Sequence, residues 1–480
     1  MDQAASRPVI EAFIDSGVDH HTLGLVYGRR RIGKSTLLER LTRERGGFYW
    51  EATRGESPIQ LARLGAALGA HLGVGSLSLE TWEAAFARLL ELGRRGSVPV
   101  IVDEFGYLLE ADSSVDSVVA AALGPSGRSA NPGSARLVLC SSAIAMMRAL
   151  TGGEAALRGR SGMELVMQPF GYRAAYTHLG RDASLELAVR VYAIIDGVIG
   201  YATDMVDHDL PRGSEDFDRW VGARVLSPAA TLHHEATTLL AEDPTLSTAS
   251  PVIHHSILST IATGAVTAGK IANRLRRTVS NLDPSLKRLI ATGFVVRHQD
   301  PIRAKRPTYS LADPFLLFHY AVIEPHVQQL RDRNPQTVWE ERLSPKFDTL
   351  VRGPVFEEMA RTWVRRHADP HTLGGPADSV GPSSVTIDGK EMQLDVVAAA
   401  GHGRGPSERT VHAIGEAKAG ETVGRGHLRA LEQARAALGT QAAQAKLLLF
   451  APAFAAGLQV DAAERSDVEL IDLPRLYGGR

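Results

Sequence analysis

The sequence predicts a multidomain α/β protein with two separate α/β regions joined by helices. A glycine-rich loop at 28–35 connects an apolar strand to a helix, which indicates a parallel sheet at the start of the chain. Three helical segments and two short strands follow within 252–311, and strands bearing carboxylates follow residue 390. With 480 residues, the chain has room for about two to four domains.

The glycine-rich loop has the phosphate-binding pattern G-x-x-x-x-G-K-[ST]. Its glycines let backbone N–H groups turn toward a phosphate, Lys34 supplies a positive charge for the β- and γ-phosphates, and the Ser35 hydroxyl suits Mg²⁺. The apolar strand at 23–27 feeds the loop into a helix N-terminus, which favours anions. The pattern predicts that ATP and Mg²⁺ bind at Gly28, Arg29, Arg30, Arg31, Ile32, Gly33, Lys34, Ser35 and Thr36.

An apolar run at 98–102 leads directly into Asp103 and Glu104. A strand without polar alternation is buried on both faces, and acids at its carboxyl end lie where ligands bind in a parallel sheet. In this position Asp103 would hold Mg²⁺ through its water shell, and Glu104 would orient and deprotonate the attacking water.

Two further groups fit the same chemistry, each with a plain structural alternative. Ser141 and Ser142 end the strand at 135–140, where small polar side chains fit a contact with the γ-phosphate or water and equally fit an ordinary turn. Arg160 precedes another strand, at 163–167, and would stabilise γ-phosphate charge within its own chain or in a neighbouring copy, or lie solvated on the surface. A homo-oligomer is one expected arrangement.

Composition narrows the class of protein. Hydrophobic content of 44% and charged content of 22% are typical of a globular protein. Cys140 is the single cysteine, so a disulfide framework is excluded and a reducing, cytoplasmic compartment is expected. No apolar run approaches the roughly 20 residues of a membrane span, so no membrane partner is predicted. Glycine and proline at 124–133 predict a flexible loop.

Positive charge is concentrated in the middle of a chain whose net charge is −1. Between residues 251 and 310, ten lysines and arginines against two aspartates leave +8, which is a polyanion signal. Helices at 252–261, 266–275 and 280–292, followed by strands at 294–297 and 308–311, have the order of a winged helix-turn-helix.

This arrangement predicts contact with duplex DNA through 266–310, with little sequence specificity. The basic residues placed to meet phosphates are Lys287, Arg288, Arg303, Lys305 and Arg306. Because such domains also pack as protein–protein modules, binding to a protein partner is the alternative.

The carboxyl-terminal region carries the spacing of a PD-(D/E)xK nuclease. Asp395 on one strand and Glu416 on the next would hold Mg²⁺, and Lys418 would position or activate water beside a phosphodiester. Glu357, on a preceding helix, can complete the metal site. Leu394 stands where the motif usually has proline. A domain of this fold that only binds, without cleavage, is the alternative.

Several segments together resemble the archaeal-type ATPases of the AAA-like P-loop class. They are 28–35, 103–108, 140–142 with 146–147, and 157–160 with 169–170. The resemblance runs nearly end to end and implies a P-loop ATPase with a C-terminal domain of unknown function and nuclease-like fold. Residues 196–201 depart from the family's usual Gly-Gly-x-Pro-x-Tyr, and the segment before the loop is shorter than usual, which implies reduced base contacts or a different start.

The predicted fold is therefore a P-loop parallel α/β core with a helical lid, a winged helix-turn-helix and a C-terminal restriction-endonuclease-like α/β domain. Two functions are expected: a DNA-associated ATPase whose nucleotide state controls a C-terminal nuclease, or an ATP-driven switch whose C-terminal regions bind partners without cleavage. The predicted boundaries are 1–180 for the ATPase core, 181–245 for the lid, 246–325 for the winged helix, 326–345 for a linker and 346–480 for the nuclease-like domain.

Overall fold

The computed structural model describes residues 3–179, 183–247, 251–303, 307–401 and 409–479. The chain divides into two compact units. The first unit contains Met1–Phe170 together with two later segments, Val198–Tyr201 and Ala241–Ala249, and the second unit contains the remainder.

The first unit is built on a five-stranded parallel sheet with the strand order β2-β3-β4-β1-β5. Strands β3 and β4 are buried along their whole length, as expected for a parallel sheet covered by helices on both faces. The strands are β1 (Thr22–Tyr27), β2 (Phe48–Glu51), β3 (Pro99–Asp103), β4 (Arg136–Ser141) and β5 (Ser161–Val166).

Eight helices precede residue 150 in the first unit. They are α1 (Gln3–Ile14), α2 (Lys34–Glu44), α3 (Ser57–Leu72), α4 (Trp82–Glu91), α5 (Gly106–Ala111), α6 (Val115–Ala122), α7 (Pro125–Ala130) and α8 (Ile144–Ala149). The prediction of a flexible loop at 124–133 is wrong, because α7 occupies most of this segment. Proline at the first helical position suits a helix start, and the N–H of Arg128 donates to the Gly124 carbonyl at 2.9 Å.

Helices predominate in the middle of the chain. They are α9 (Tyr172–Leu179), α10 (Leu185–Ile195), α11 (Ser214–Trp220), α12 (Thr231–Glu242), α13 (Pro244–Ser247), α14 (Pro251–Ala262), α15 (Ala268–Arg274), α16 (Val279–Ala291), α17 (Pro314–Phe318), α18 (Val327–Asp332), α19 (Pro335–Val338) and α20 (Ser344–Phe347). Wide π-helical turns lie at Tyr201–Met205, Val221–Leu226, His319–Ile323, Trp339–Leu343 and Asp348–Arg352. None of the helices that the structure describes combines the length and apolar character that crossing a membrane requires.

A two-stranded antiparallel hairpin follows the three helices α14–α16. Its strands are β6 (Val295–His298) and β7 (Thr308–Leu311), with Val295 opposite Leu311. The order of these five elements is the order expected from the sequence.

The last region of the second unit is a mixed five-stranded sheet with the order β14-β12-β10-β9-β8. The pairs β8–β9 and β9–β10 are antiparallel, whereas the pairs β10–β12 and β12–β14 are parallel. The elements are α21 (Gly353–Arg366), α22 (Pro370–Leu373), β8 (Ser379–Ile387), β9 (Lys390–Ala400), β10 (Thr410–Ala417), β11 (Thr422–Val423), α23 (Arg425–Leu438), β12 (Lys446–Phe450), β13 (Ala453–Phe454), α24 (Ala456–Ala463), β14 (Val468–Ile471) and α25 (Leu473–Gly478).

Candidate functional site

The phosphate loop connects β1 to α2 and takes its shape from two left-handed residues, Arg31 with φ 64° and Gly33 with φ 82°. A side chain at Gly28 would collide with the carbonyl oxygen of Met167, so only glycine fits at the start of the loop. Ser35 and Thr36 are exposed in the first turn of α2. The loop therefore presents backbone N–H groups and hydroxyls at a helix N-terminus, the arrangement that binds phosphate.

The Lys34 side chain is held at the mouth of this loop. Its Nζ donates to the carbonyl oxygens of Gly28 at 2.8 Å and of Arg29 at 2.7 Å. Burial lowers the pKa of Lys34 from its ordinary value, opposed by the nearby Asp103 and Glu104 carboxylates. A buried ammonium group whose partners are neutral carbonyls is well placed to accept an anionic ligand.

The loop arginines contact the two later segments of the first unit. The Arg31 carbonyl accepts a hydrogen bond from the N–H of Gly200 at 2.9 Å. Arg30 pairs with Glu242, with 3.1 Å between Nε and Oε2, and also donates to the Tyr107 hydroxyl at 3.0 Å. Parts of the predicted lid thus rest directly on the phosphate loop.

Asp103 and Glu104 lie at the carboxyl end of β3, beside the loop. Both oxygens of the buried Asp103 carboxylate are held, Oδ1 by the backbone N–H of Glu104 at 2.8 Å and Oδ2 by the Tyr49 hydroxyl at 2.7 Å. Burial and the Asp103 charge raise the pKa of Tyr49 well above its ordinary value, so the phenol keeps the proton that it donates. Glu104 adopts a left-handed φ of 50°, a conformation that costs free energy and is typical of functional sites.

The two serines at the end of β4 make different contacts. The Ser142 hydroxyl contacts the Glu104 carboxylate, at 3.2 Å from Oε2. Ser141 is buried, and its oxygen accepts the N–H of Ala143 at 3.2 Å. The Ser141 oxygen thus takes part in the turn, and its contact with a nucleotide stays a prediction, while Ser142 faces the residue predicted to activate water.

Arg160 lies at the wrong edge of the sheet to reach its own phosphate loop. Ser161 pairs with Leu23 at the start of β1, whereas the loop leaves β1 after Tyr27. The Arg160 guanidinium instead donates to the carbonyl of Ala120 at 2.9 Å. The prediction that Arg160 acts within its own chain is therefore wrong, because parallel pairing fixes it at the opposite end of the strand. Action on a neighbouring copy stays a prediction.

The carboxyl-terminal residues Asp395, Glu416 and Lys418 meet on adjacent antiparallel strands. Lys418 Nζ lies 2.9 Å from Glu416 Oε1 and 4.0 Å from Asp395 Oδ2. The Asp395 carboxylate also accepts the N–H of Ala417 at 2.9 Å, which ties β9 to β10. The second oxygen of Glu416 is buried with no partner among the described residues.

Glu357 approaches this site from α21 beside an arginine that the motif does not include. The buried Arg361 donates to the backbone carbonyl of Asp395 at 2.8 Å, to Glu358 at 2.7 Å, and lies 3.6 Å from Glu357. Burial and the Asp395 charge raise the pKa of Glu357 to about 7. Arg361 and Lys418 thus balance only part of the negative charge here.

A ready three-ligand metal site was expected from Glu357, Asp395 and Glu416, and the structure does not contain it. Within the described ranges, no three His, Cys, Asp or Glu side chains are grouped so that they could hold a metal ion. The reason is that Glu416 turns toward Lys418 and Glu357 toward Arg361. Metal binding here would require these side chains to exchange their cationic partners.

The hairpin that follows α16 is packed against the carboxyl-terminal sheet. Ile302 is buried in the same apolar cluster as residues of that sheet, including Val385 and Leu394. The buried Asp300 accepts the Ser383 hydroxyl at 2.8 Å and the N–H of Arg303 at 2.9 Å.

The predicted DNA contact through the hairpin loop is therefore only partly accessible. Arg303 is half-buried next to the packed residues, and Lys305 and Arg306 lie outside the described residues. Lys287 is exposed but pairs with Asp283 at 2.7 Å. The exposed arginines of this region are Arg274, Arg276, Arg277, Arg288 and Arg297, and no ion pair of theirs is present among the described residues.

The fold and the first site define a protein of the P-loop nucleotide-binding class, with the loop between β1 and α2 and acids at the end of β3. No known family profile matches the sequence. An uncharacterised protein of Methanocaldococcus jannaschii is 24% identical over 345 residues, 71% of this chain and 72% of that protein.

Solved structures similar to this chain include the Walker-type ATPase of Pyrococcus abyssi, at 20% identity and a TM-score of 0.47, covering 67% of this chain and 95% of that one. The ORC2 protein of Aeropyrum pernix is 16% identical with a TM-score of 0.38, covering 69% and 94%.

The motif analysis missed Tyr49 and Arg361 and did not separate Ser142 from Ser141. Tyr49 lies in the aromatic triplet of β2, where a hydroxyl between two buried aromatic residues is the available signal. Ser142 was considered together with Ser141, and strand alternation at the end of β4 could have separated them. Arg361 lies four residues after Glu357, so helix spacing places the two side chains on one face.

Proposed function

We propose that this protein is a Mg²⁺-dependent ATPase of the AAA-like P-loop class, which the resemblance to archaeal-type ATPases supports. The observation that carries the proposal is the meeting of Lys34, Asp103 and Glu104 at one end of the parallel sheet. The residues fit the metal, because the exposed Ser35 hydroxyl and the Asp103 carboxylate are hard oxygen donors of the kind that Mg²⁺ prefers. Bound Mg²⁺ would neutralise phosphate charge.

The chain's own residues then divide the work of hydrolysis. Lys34 and the loop N–H groups bind the phosphates, Ser35 and Asp103 hold the metal, and Glu104 accepts a proton from the attacking water. Ser142 orients the Glu104 carboxylate through its hydrogen bond.

Lys34→Ala is expected to abolish ATP binding, because the loop loses the single ammonium group that faces the phosphates. Binding of a fluorescent ATP analogue with MgCl₂ measures this directly. Lys346→Ala, which removes an exposed lysine in the second unit, is the matched control and should bind like the parent. Parent-like affinity in Lys34→Ala would contradict the assignment of the site.

The proposal extends to duplex DNA through 266–310, read as a winged helix-turn-helix. The order α14–α16, β6 and β7 supports it, and so do the exposed arginines on the helical face. Because Asp300 and Ile302, in the described part of the hairpin loop, are packed on the carboxyl-terminal sheet, we assign the larger share of phosphate contacts to α15, α16 and the turn between them.

Duplex DNA affinity is expected to fall steeply with salt, and the triple variant Arg276→Ala, Arg277→Ala, Arg288→Ala to flatten that dependence by about 0.9 units of log–log slope per lost phosphate contact. Fluorescence anisotropy with a labelled duplex at several salt concentrations measures the slope. The control triple Arg40→Ala, Arg43→Ala, Arg88→Ala removes equal charge from arginines already paired with glutamates. An unchanged slope in the first triple would favour a protein partner.

For the carboxyl-terminal region we propose a PD-(D/E)xK nuclease-like domain whose activity the nucleotide state controls. The mixed sheet and the meeting of Asp395, Glu416 and Lys418 support this. The competing function, a nucleotide-driven switch that binds partners without cleavage, is favoured by one observation: Glu416 and Glu357 already contact cations, Lys418 at 2.9 Å and Arg361 at 3.6 Å. A homo-oligomer, with Arg160 acting on the neighbouring copy, belongs to the same proposal.

A further inference from the structure

One tyrosine supports an acid of the nucleotide site from the neighbouring strand. The Tyr49 hydroxyl donates to Asp103 Oδ2 at 2.7 Å. Tyr49 lies on β2 and Asp103 at the end of β3, so a hydroxyl from the adjacent strand contacts a proposed metal ligand.

The chemistry of the two groups fixes the direction of the proton. An ionised carboxylate only accepts hydrogen bonds, so the phenolic proton of Tyr49 goes to Asp103.

The Asp103 carboxylate is restrained at both of its oxygens. The Tyr49 hydroxyl holds Oδ2, and the backbone N–H of Glu104 holds Oδ1 at 2.8 Å. Because each carboxylate oxygen has two acceptor sites, both oxygens keep one site for the water shell of a metal. Without Tyr49, one side of the carboxylate would be free to rotate.

We propose that Tyr49 is a positioning residue that sets the Mg²⁺ affinity of the nucleotide site by orienting the Asp103 carboxylate. The inference rests on the proposed ATPase function and concerns the same site. Groups that orient metal ligands typically change metal affinity by about 10- to 100-fold when removed.

The position of Tyr49 on β2 allows a clean substitution. Phe48 and Trp50 point into the apolar core, whereas Tyr49 lies on the other face of the strand and is half-buried. Tyr49→Phe keeps the ring and removes only the hydroxyl.

The experiment measures binding of a fluorescent ATP analogue as a function of MgCl₂, with a parallel measurement in EDTA. We expect Tyr49→Phe to need about tenfold more Mg²⁺ for half-maximal tight binding, with affinity in EDTA unchanged. Tyr27→Phe is the matched control, because Tyr27 also donates to a carboxylate, that of Glu164 at 2.6 Å, in the same sheet. Its Mg²⁺ dependence should equal that of the parent.

Two results would overturn the inference: an unchanged Mg²⁺ dependence in Tyr49→Phe, or an equal loss of affinity with and without Mg²⁺, which would indicate a role in the fold or in nucleotide contact. Failure of the proposed function gives a different result, since the parent and Tyr27→Phe would then bind no nucleotide under either condition.

Discussion

Glu104→Gln is expected to bind ATP as tightly as the parent and to hydrolyse it about 10²- to 10⁴-fold more slowly, the usual contribution of a general base. The amide has the size of the carboxylate and still accepts the Ser142 hydroxyl, but it no longer takes a proton from water. The left-handed backbone at this position is unchanged, because glutamine and glutamate share the same steric limits. Single-turnover phosphate release separates the chemical step from binding.

Glu110→Gln supplies the matched control for this variant. Glu110 is an exposed glutamate of the same unit that approaches Arg54 at 3.6 Å, away from the phosphate loop. It should hydrolyse ATP at the parent rate. If Glu104→Gln also hydrolyses ATP at the parent rate, Glu104 is not the general base.

The nucleotide site was predictable because its geometry is local. Gly28 and Lys34 belong to one continuous loop, and parallel pairing brings the end of β3 to the same edge of the sheet as the end of β1. Strand ends and an uninterrupted apolar run are sufficient to place Asp103 and Glu104 there.

What the sequence could not provide depends on pairing between distant segments. The opposite position of Arg160 follows from the register of β5 on β1, which no local pattern encodes. The packing of Ile302 into the carboxyl-terminal sheet joins residues more than 80 positions apart in sequence, such as Val385. The sequence pattern of a basic hairpin is the same whether its loop is exposed to solvent or packed against another domain.

At the carboxyl-terminal site, the sequence predicted the strand pairing but not all of the charged contacts. The spacing Asp395 to Glu416-x-Lys418 predicts adjacent strands, and β9 and β10 do pair there. The contribution of Arg361 was not predictable, because it depends on how α21 lies against β9. That arginine decides whether Glu357 is available to a metal ion.

Asp395→Asn is expected to abolish Mg²⁺- or Mn²⁺-dependent cleavage of plasmid DNA and to weaken metal binding to the domain. The amide still accepts the N–H of Ala417, so the link between β9 and β10 is kept, whereas the negative charge that attracts the cation is lost. Lys418→Ala is expected to slow cleavage while sparing metal binding, since the lysine acts on the water and not on the ion. Lys418→Ala also removes the cation that lies 2.9 Å from Glu416. We therefore expect the metal affinity of this variant to be equal to or higher than that of the parent.

Asp388→Asn provides the control, because Asp388 is exposed in the turn between β8 and β9 at φ 48°, a conformation that asparagine also adopts. Cleavage is measured with and without ATP, and metal binding by calorimetry with MnCl₂ on the full chain. One pair of results would favour the competing function, a switch that binds partners without cleavage. In that case the parent binds metal and Asp395→Asn does not, but no cleavage occurs under any nucleotide condition. Because Lys418 and Arg361 already contact Glu416 and Glu357, the domain would then be a binding module built on a nuclease scaffold.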